Sequence, residues 1–121
     1  MATLNTKITL SSSDTSDNGL NLTATDALAV TQPSVDLARV SIATGSAQAL
    51  VPSNSAFSFV YMKVISGTGS NPWIQVLVGG DIKMKIMVGE FCFLPLYNAQ
   101  AITAEAQVGA CVVEYGYWSR S

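Results

Sequence analysis

The sequence predicts an all-β fold, a single-domain jelly-roll-like antiparallel β-sandwich of about 8–10 short strands. Three observations support this prediction. Apolar and polar side chains alternate along most of the chain, and the alternating runs are separated by turn-forming segments at intervals of about 8–12 residues. No segment keeps a helical period over ten residues, although "TATDALAV" is a weak helical candidate. An immunoglobulin-like sandwich is the second choice, because the Cys–Trp–Cys spacing of that fold is missing.

The first third of the chain contains an alternating segment on each side of a polar run. Leu4, Ile8 and Leu10 alternate with polar residues and predict a first strand. One parity is again shared by Leu20, Leu22, Ala24, Leu28 and Val30. The parity then reverses between Leu37 and Val40, which predicts a β-bulge near Ala38-Arg39.

The remaining strands follow at regular intervals. The segment 82–88 is expected to place Ile82, Met84, Ile86 and Val88 on one face and its lysines on the other, where they act as solvated charges that discourage edge-to-edge pairing. Glycines permit the tight turns at Gly79-Gly80-Asp81 and Gly89-Glu90. The predicted strands are 46–51, 56–65, 73–78, 82–88, 91–97, 101–107 and 110–118.

Residues 1–19 are predicted to form an N-terminal strand or arm with a polar loop, and residues 20–121 the sandwich domain. The polar run "SSSDTSDNG" is a spacer of about nine residues that can extend at most about 30 Å. Two arrangements remain open for residues 2–10. The segment is either handed to a neighbouring subunit or forms an edge strand within its own chain.

The composition restricts the classes of function. Charged residues make up 12% of the chain against about 25% in a typical domain, while 49% of its residues are hydrophobic. We therefore expect copies of the chain or a partner to cover part of its surface. A net charge of −2 argues against nucleic-acid binding. No apolar run is long enough for a membrane span, and the N-terminus lacks a secretion signal, so we expect a chain used without export.

Signals for chemistry are weak. The chain has no histidine, which removes the commonest general base and metal ligand, and no spacing singles out a pair among its eight acids. We expect no enzyme activity and no cofactor. Cys92 and Cys111 are expected to be buried thiols, and a disulfide would require that their strands be neighbours.

The segment Asp14–Gly19, "DTSDNG", has the alternate oxygen ligands of the first half of a calcium loop. However, the twelfth position is Thr25 instead of a chelating Glu, and the same residues favour turns. A turn is therefore the favoured interpretation and a weak cation site the alternative.

Aromatic and aliphatic side chains are the candidates for an interface. In "YGYWS", Tyr115 and Tyr117 share one face of the last strand and Trp118 takes the other, so both faces are apolar, which suggests burial between subunits. If exposed, the aromatic side chains could instead stack on a sugar, and the candidates are Trp73, Tyr97, Tyr115, Tyr117 and Trp118. The candidate partner interface consists of Leu4, Ile8, Leu10, Trp73, Tyr117 and Trp118.

Within residues 40–118, a Gly-Glu turn leads into an apolar strand with a proline, "VGEFCFLPL", and small-residue strands follow in "AITAEAQVGACVVEY". This pattern resembles the small all-β virion proteins of tailed bacteriophages, particularly capsid decoration (cement) proteins. The resemblance implies a structural role on the outer surface of the capsid, commonly as a homotrimer made in the host cytoplasm. The major capsid protein or another virion protein would then be the partner.

The sequence thus favours a non-enzymatic capsid decoration protein that binds and stabilises an assembled shell. The alternative is a carbohydrate- or receptor-binding module of a phage fibre or tail, which would need aromatics beside polar side chains that bind hydroxyls.

Overall fold

A computed structural model of the chain describes residues 2–12, 21–53, 57–96 and 100–120. The segment Asp14–Gly19, and with it the choice between a turn and a cation site, lies outside the described residues, as does Tyr97. The described part contains nine strands and no helix. They are β1 (Ala2–Ser11), β2 (Asn21–Ile42), β3 (Gln48–Val51), β4 (Phe57–Gly67), β5 (Trp73–Val78), β6 (Asp81–Met87), β7 (Phe91–Pro95), β8 (Ile102–Gln107) and β9 (Cys111–Arg120).

The strands form two antiparallel sheets. The first sheet has the order β1-β2-β9-β4-β7 and the second has the order β3-β8-β5-β6. The pairing is nested, because β5 pairs with β6, β4 with β7, β3 with β8, and β2 with β9. A long hairpin wrapped into two four-stranded sheets gives this arrangement, which is the jelly roll. The prediction of the fold is confirmed, and β1 is a fifth strand added to the first sheet.

The core lies between the two sheets. Every second residue of β4 and β9 points inward from the first sheet, and every second residue of β5 and β8 points inward from the second. The fully buried side chains are aliphatic or sulfur-containing, so the core stabilises the sandwich through apolar area removed from water. They include Ile42, Val60, Met62, Val64, Ile74, Val76, Ile102, Cys111 and Val113.

The two glycine turns occur where they were predicted. Gly79 and Gly80 have positive φ angles of 63° and 90° and join β5 to β6 as a tight hairpin. Gly89 also has a positive φ, of 90°, in the turn between β6 and β7. That turn is attached to the first sheet, because the Gly89 N–H donates to the Val64 carbonyl and the Val64 N–H donates to the Glu90 carbonyl. The turns therefore fix both ends of β6.

The side chains of β6 are distributed between the two faces of the sheet differently from the prediction. Val76 pairs with Met84, but the next residue of β5, Leu77, pairs with Ile82, so Lys83 is the extra residue of a bulge. The bulge moves Ile82 to the outer face, where it is 62% exposed, and Val88 is exposed in the turn. The prediction that Ile82 and Val88 share one face with Met84 and Ile86 is therefore wrong. Met84 and Ile86 do pack against the core.

The structure also resolves two expectations for β2. "TATDALAV" is part of this strand, so its helical interpretation is wrong, because pairing with β1 supplies its hydrogen bonds. The register of β2 against β9 shifts between Val35 and Ala38 and is regular from Ala38 to Ile42. The predicted parity change is confirmed, and the irregularity ends at the predicted position.

Candidate functional site: an N-terminal ribbon above an aromatic groove

β1 and the first half of β2 form a two-stranded ribbon, defined here as residues 2–11 and 21–30. Its strands are paired in regular register from Ala2 opposite Val30 to Ser11 opposite Asn21. Because side chains alternate between faces, the even-numbered residues of both strands share one face. That apolar face places Leu4 opposite Leu28, Ile8 opposite Ala24, and Leu10 opposite Leu22. Hence residues 2–10 take the arrangement of an edge strand within their own chain.

The base of the ribbon packs on the outer face of the first sheet. Val30 is buried there in a second apolar cluster with Phe59 and Trp118. Leu4 and Leu28, which lie next along the ribbon, are half-buried against the same cluster, as are Tyr61 and Phe93. The rings of Phe59 and Phe93 stack with centroids 5.9 Å apart. This outer cluster fastens the ribbon to the sandwich.

The far end of the ribbon is exposed on both faces. Residues 7–11 and 21–27 are all exposed. We call residues 8–11 and 21–24 the ribbon tip. Its apolar face carries Ile8, Leu10 and Leu22, which are 38%, 48% and 49% exposed. A two-stranded hairpin without further packing is at best marginally stable in water, so a surface that packed against the tip would stabilise it.

A groove of about 260 Å³ runs between β1 and the outer face of the first sheet. Residues 4–8 of β1 form one wall, and the aromatic residues Tyr61, Phe91, Phe93 and Trp118 form the rest of the lining. Phe91 is 60% exposed, which is unusual for so large an apolar ring. We call this feature the aromatic groove. An apolar groove of this kind can accept aliphatic side chains or an added strand.

A small polar network lies on the same outer face. The Arg39 guanidinium forms an ion pair with the Glu114 carboxylate, at 3.1 Å between Nη2 and Oε2. The Tyr61 hydroxyl donates to the other carboxylate oxygen at 3.4 Å. Burial raises the pKa of Tyr61, and the nearby Glu114 charge and this hydrogen bond raise that pKa further. Tyr61 is therefore held as a neutral donor at the floor of the groove.

The outer face of the second sheet offers a different surface. Trp73 is half-buried on β5, and the Lys85 ammonium lies over its ring, 4.6 Å from the centroid. Gln75, the next residue on that face, lies between Lys85 and Glu105 on the flanking strands. The Gln107 amide donates to the Glu105 carboxylate at 3.4 Å. This Trp73 surface combines one aromatic ring with several hydrogen-bonding side chains.

The structure separates the residues of the candidate interface into three groups. Leu4, Ile8 and Leu10 lie together along the ribbon, whereas Trp73 lies on the opposite sheet. Tyr117 and Trp118 are only 8% and 7% exposed, because the core covers one and the outer cluster covers the other. Residues of the same chain thus cover both apolar faces of β9, and burial between subunits is not needed to explain them.

The charged residues around β6 have structural contacts. The Glu90 carboxylate accepts a hydrogen bond from the Met87 N–H at 2.7 Å and closes the turn. Lys83 and Lys85 are exposed on the edge strand of the second sheet. Within the four described ranges, no three His, Cys, Asp or Glu residues come close enough to hold a metal ion.

Sequence reasoning did not select the groove residues Tyr61, Phe91 and Phe93. A signal was present, since Phe91 and Phe93 have the same parity and point to one face of β7. Their shared groove with β1 depends on the ribbon folding over the sheet, which a local pattern does not encode.

Comparison of the chain with models of known protein families finds no match, and comparison with curated proteins finds none either. Among the residues that the structure describes, there is also no helix that could cross a membrane.

Proposed function

We propose that this chain is a non-enzymatic structural protein of a virion, a capsid decoration protein that binds the outer surface of the assembled shell and stabilises it. The observation that carries the proposal is the ribbon tip, a two-stranded extension whose apolar face is open to solvent. An isolated ribbon gains stability when another chain covers it. A protein built in this way acts by docking.

The low charge of the chain supports the same proposal. Only 12% of the residues are charged, so the surface presents few charged groups that would have to be desolvated in a contact. A decoration protein acts through many copies, and weak contacts repeated by symmetry combine into strong attachment. We therefore propose a homo-oligomer, with a trimer favoured by the resemblance to decoration proteins, bound to the major capsid protein or another virion protein.

Particles with and without the protein test this proposal. Particles that lack it should rupture at a lower temperature and under milder osmotic shock, and adding the purified protein should restore their resistance. Leu10→Lys, which puts a charge on the ribbon tip, should fail to restore it. Ile82→Lys is the matched control, because Ile82 is an exposed aliphatic residue on the other sheet. Equal rupture of particles with and without the protein would refute the proposal.

A carbohydrate-binding module of a fibre or tail is the second candidate function, and the Trp73 surface supports it. A tryptophan ring beside Gln75, Glu105 and Gln107 offers stacking together with donors and acceptors for hydroxyl groups. On this hypothesis the wild-type protein binds particular sugars on a glycan array, and Trp73→Ala loses them. Phe91→Ala removes an aromatic ring elsewhere and is the control. An array without signal for the wild-type protein would count against this candidate.

A further inference from the structure

We infer that the ribbon tip of one copy of this chain docks into the aromatic groove of a second copy, head to tail, and that the contacts close into a ring. The inference rests on the proposed self-association and names the surfaces that would form it. Both surfaces belong to one chain, yet neither has a cover among the described residues. Ile8, Leu10 and Leu22 are exposed on the tip, and Phe91 is exposed in the groove.

Leu10 and Leu22 of the tip do not line the groove of their own chain. Residues 4–8, at the base and middle of β1, already form a wall of that groove, and Leu10 and Leu22 lie beyond them. Each residue advances an extended strand by about 3.3 Å, so Leu10 is roughly 7 Å past Ile8. Leu10 and Leu22 share the face of Leu4 and Ile8 but are absent from the lining of the groove, and about half of each side chain is exposed. A groove of another copy is available to them.

The two surfaces match in chemistry. The groove presents the rings of Tyr61, Phe91 and Phe93, and the tip presents aliphatic side chains on one face. Aliphatic groups inserted between aromatic rings remove apolar area of both chains from water. β1 is also an outermost strand of its sheet, so the N–H and C=O groups along its outer edge are not paired by the described strands. An entering strand can hydrogen-bond to that edge.

The charges are complementary as well. Asp26 belongs to the same face of the ribbon as Ile8 and Leu10. Lys63 on β4 lies between the groove residue Phe91 on β7 and Glu114 on β9. The described residues form an ion pair between Arg39 and Glu114, whereas neither Lys63 nor Asp26 has an ionic partner there. A docked tip brings the Asp26 carboxylate toward the Lys63 ammonium of the neighbour.

The contact is heterologous, because the tip and the groove are different surfaces. Copies joined in this way form a closed ring or an open filament, depending on the rotation between neighbours. A ring leaves no unoccupied tip and no unoccupied groove, which fits a chain that exposes both. Each copy then contributes one tip and receives another.

The molar mass of the purified protein in solution tests the inference. The wild-type protein should form one discrete oligomer by light scattering or sedimentation. Leu10→Lys, which damages the tip, and Phe91→Lys, which damages the groove, should each be monomers. Ile82→Lys, an equally exposed aliphatic site on the other sheet, should keep the wild-type mass. A wild-type protein that stays monomeric, or tip and groove variants that keep its mass, would overturn the inference.

Mixing the two damaged variants gives a sharper result. Leu10→Lys retains an intact groove and Phe91→Lys retains an intact tip, so one good contact is possible between them. An equimolar mixture should yield pairs containing one chain of each kind and nothing larger. Absence of mixed pairs, with both variants folded by circular dichroism, would also overturn the inference. If Phe91→Lys fails to fold, Phe91→Ser takes its place.

A charge exchange provides an independent measurement. Asp26→Lys and Lys63→Asp should each weaken the oligomer through like charges, and the double variant should restore it. If the double variant did not restore the oligomer, the Asp26–Lys63 contact would not belong to the interface.

The stability of virus particles separates this inference from the proposed function. Rings that form without any effect on particles leave the inference standing alone, whereas stabilised particles with a monomeric protein leave the function standing alone.

Discussion

Tyr117 and Trp118 are adjacent on β9 but are buried in two different apolar clusters on opposite faces of the first sheet. Tyr117 belongs to the core between the sheets, where its ring stacks with Tyr115 at 6.5 Å between centroids. Trp118 lies under the ribbon with Val30 and Phe59. One strand therefore holds together the sandwich and the N-terminal extension, and the two clusters can be perturbed separately.

We expect Trp118→Ala to release the ribbon from the sheet. The substitution removes the largest ring of the outer cluster, and loss of a buried aromatic destabilises a protein by about 3–5 kcal/mol. The loss should be local, since the core between the sheets keeps its own contacts. Hydrogen exchange would show faster exchange in residues 2–11 and 21–30 than elsewhere.

Met62→Ala is the comparison, because Met62 is fully buried in the core between the sheets. We expect a loss of about 2–5 kcal/mol in the free energy of unfolding, shared by both sheets. If both variants raised exchange equally in all nine described strands, the two clusters would not be separable.

The two thiols should stay unpaired under oxidation. β4 lies between the strands that carry Cys92 and Cys111, so their backbones are at least about 10 Å apart, beyond the reach of a disulfide. Burial raises the pKa of both thiols and lowers their thiolate fraction. We expect slow labelling by a thiol reagent in the folded protein and fast labelling in urea. Intramolecular oxidation of the folded monomer would contradict the strand order.

Stability should fall in alkaline solution. Burial raises the pKa of Tyr61, Tyr117, Cys92 and Cys111 in the folded chain. As the pH rises, the unfolded chain loses these protons before the folded chain does. The unfolded chain then binds fewer protons than the folded chain, so unfolding becomes more favourable as the pH increases. The stabilisation is complete below the ordinary thiol pKa of about 8.5 and is lost as the pH rises through the folded values.

Urea unfolding at several alkaline pH values measures this decline. Tyr61→Phe should reduce the slope, because it removes one of the titrating groups while keeping the ring. Cys92→Ser removes a buried thiol and should act in the same direction. A free energy of unfolding that is constant or rises through the alkaline range would contradict the expectation.

Gly109→Ala should destabilise the fold more than a glycine substitution in open space. A Cβ on Gly109 would overlap the backbone carbonyl oxygen of Thr68, and that segment is held by the hydrogen bond from the Thr68 N–H to Ala110. We expect a loss of about 3 kcal/mol, at the upper end for overpacking. Gly45 has a positive φ of 80° but no atom near its Cβ position, so Gly45→Ala should lose only about 1 kcal/mol. Equal losses of stability for Gly109→Ala and Gly45→Ala in thermal unfolding would contradict the expected clash with the Thr68 carbonyl.

Local patterns in the sequence were enough to predict the strands. The alternation in β8 is regular, and this strand buries Ile102, Ala104 and Ala106, which share one parity. Ile82 was assigned incorrectly because a bulge at Lys83 reverses the parity within a single strand. Nothing in the residue types of that segment marks where the extra residue lies.

The candidate site was less predictable because it depends on contacts between distant segments. The apolar alternation of β1 was visible, but whether its strand would pair within the chain was not. The cover over Trp118 comes from Val30, which is far away in the sequence, so the two apolar faces of β9 could not be assigned to separate clusters. The groove exists only because the ribbon folds over Tyr61 and Phe93.

The nested pairing of the strands imposes an order on folding. β5 and β6 are the innermost pair and are joined by a two-residue turn, so they can meet with the smallest loss of chain entropy. β9, by contrast, lies between β2 and β4 in the middle of its sheet. The first sheet therefore stays divided until β9 has left the ribosome, and its exposed edges are open to wrong partners during that time. With so many contacts between remote segments, we expect slow folding that ends when β9 enters the first sheet.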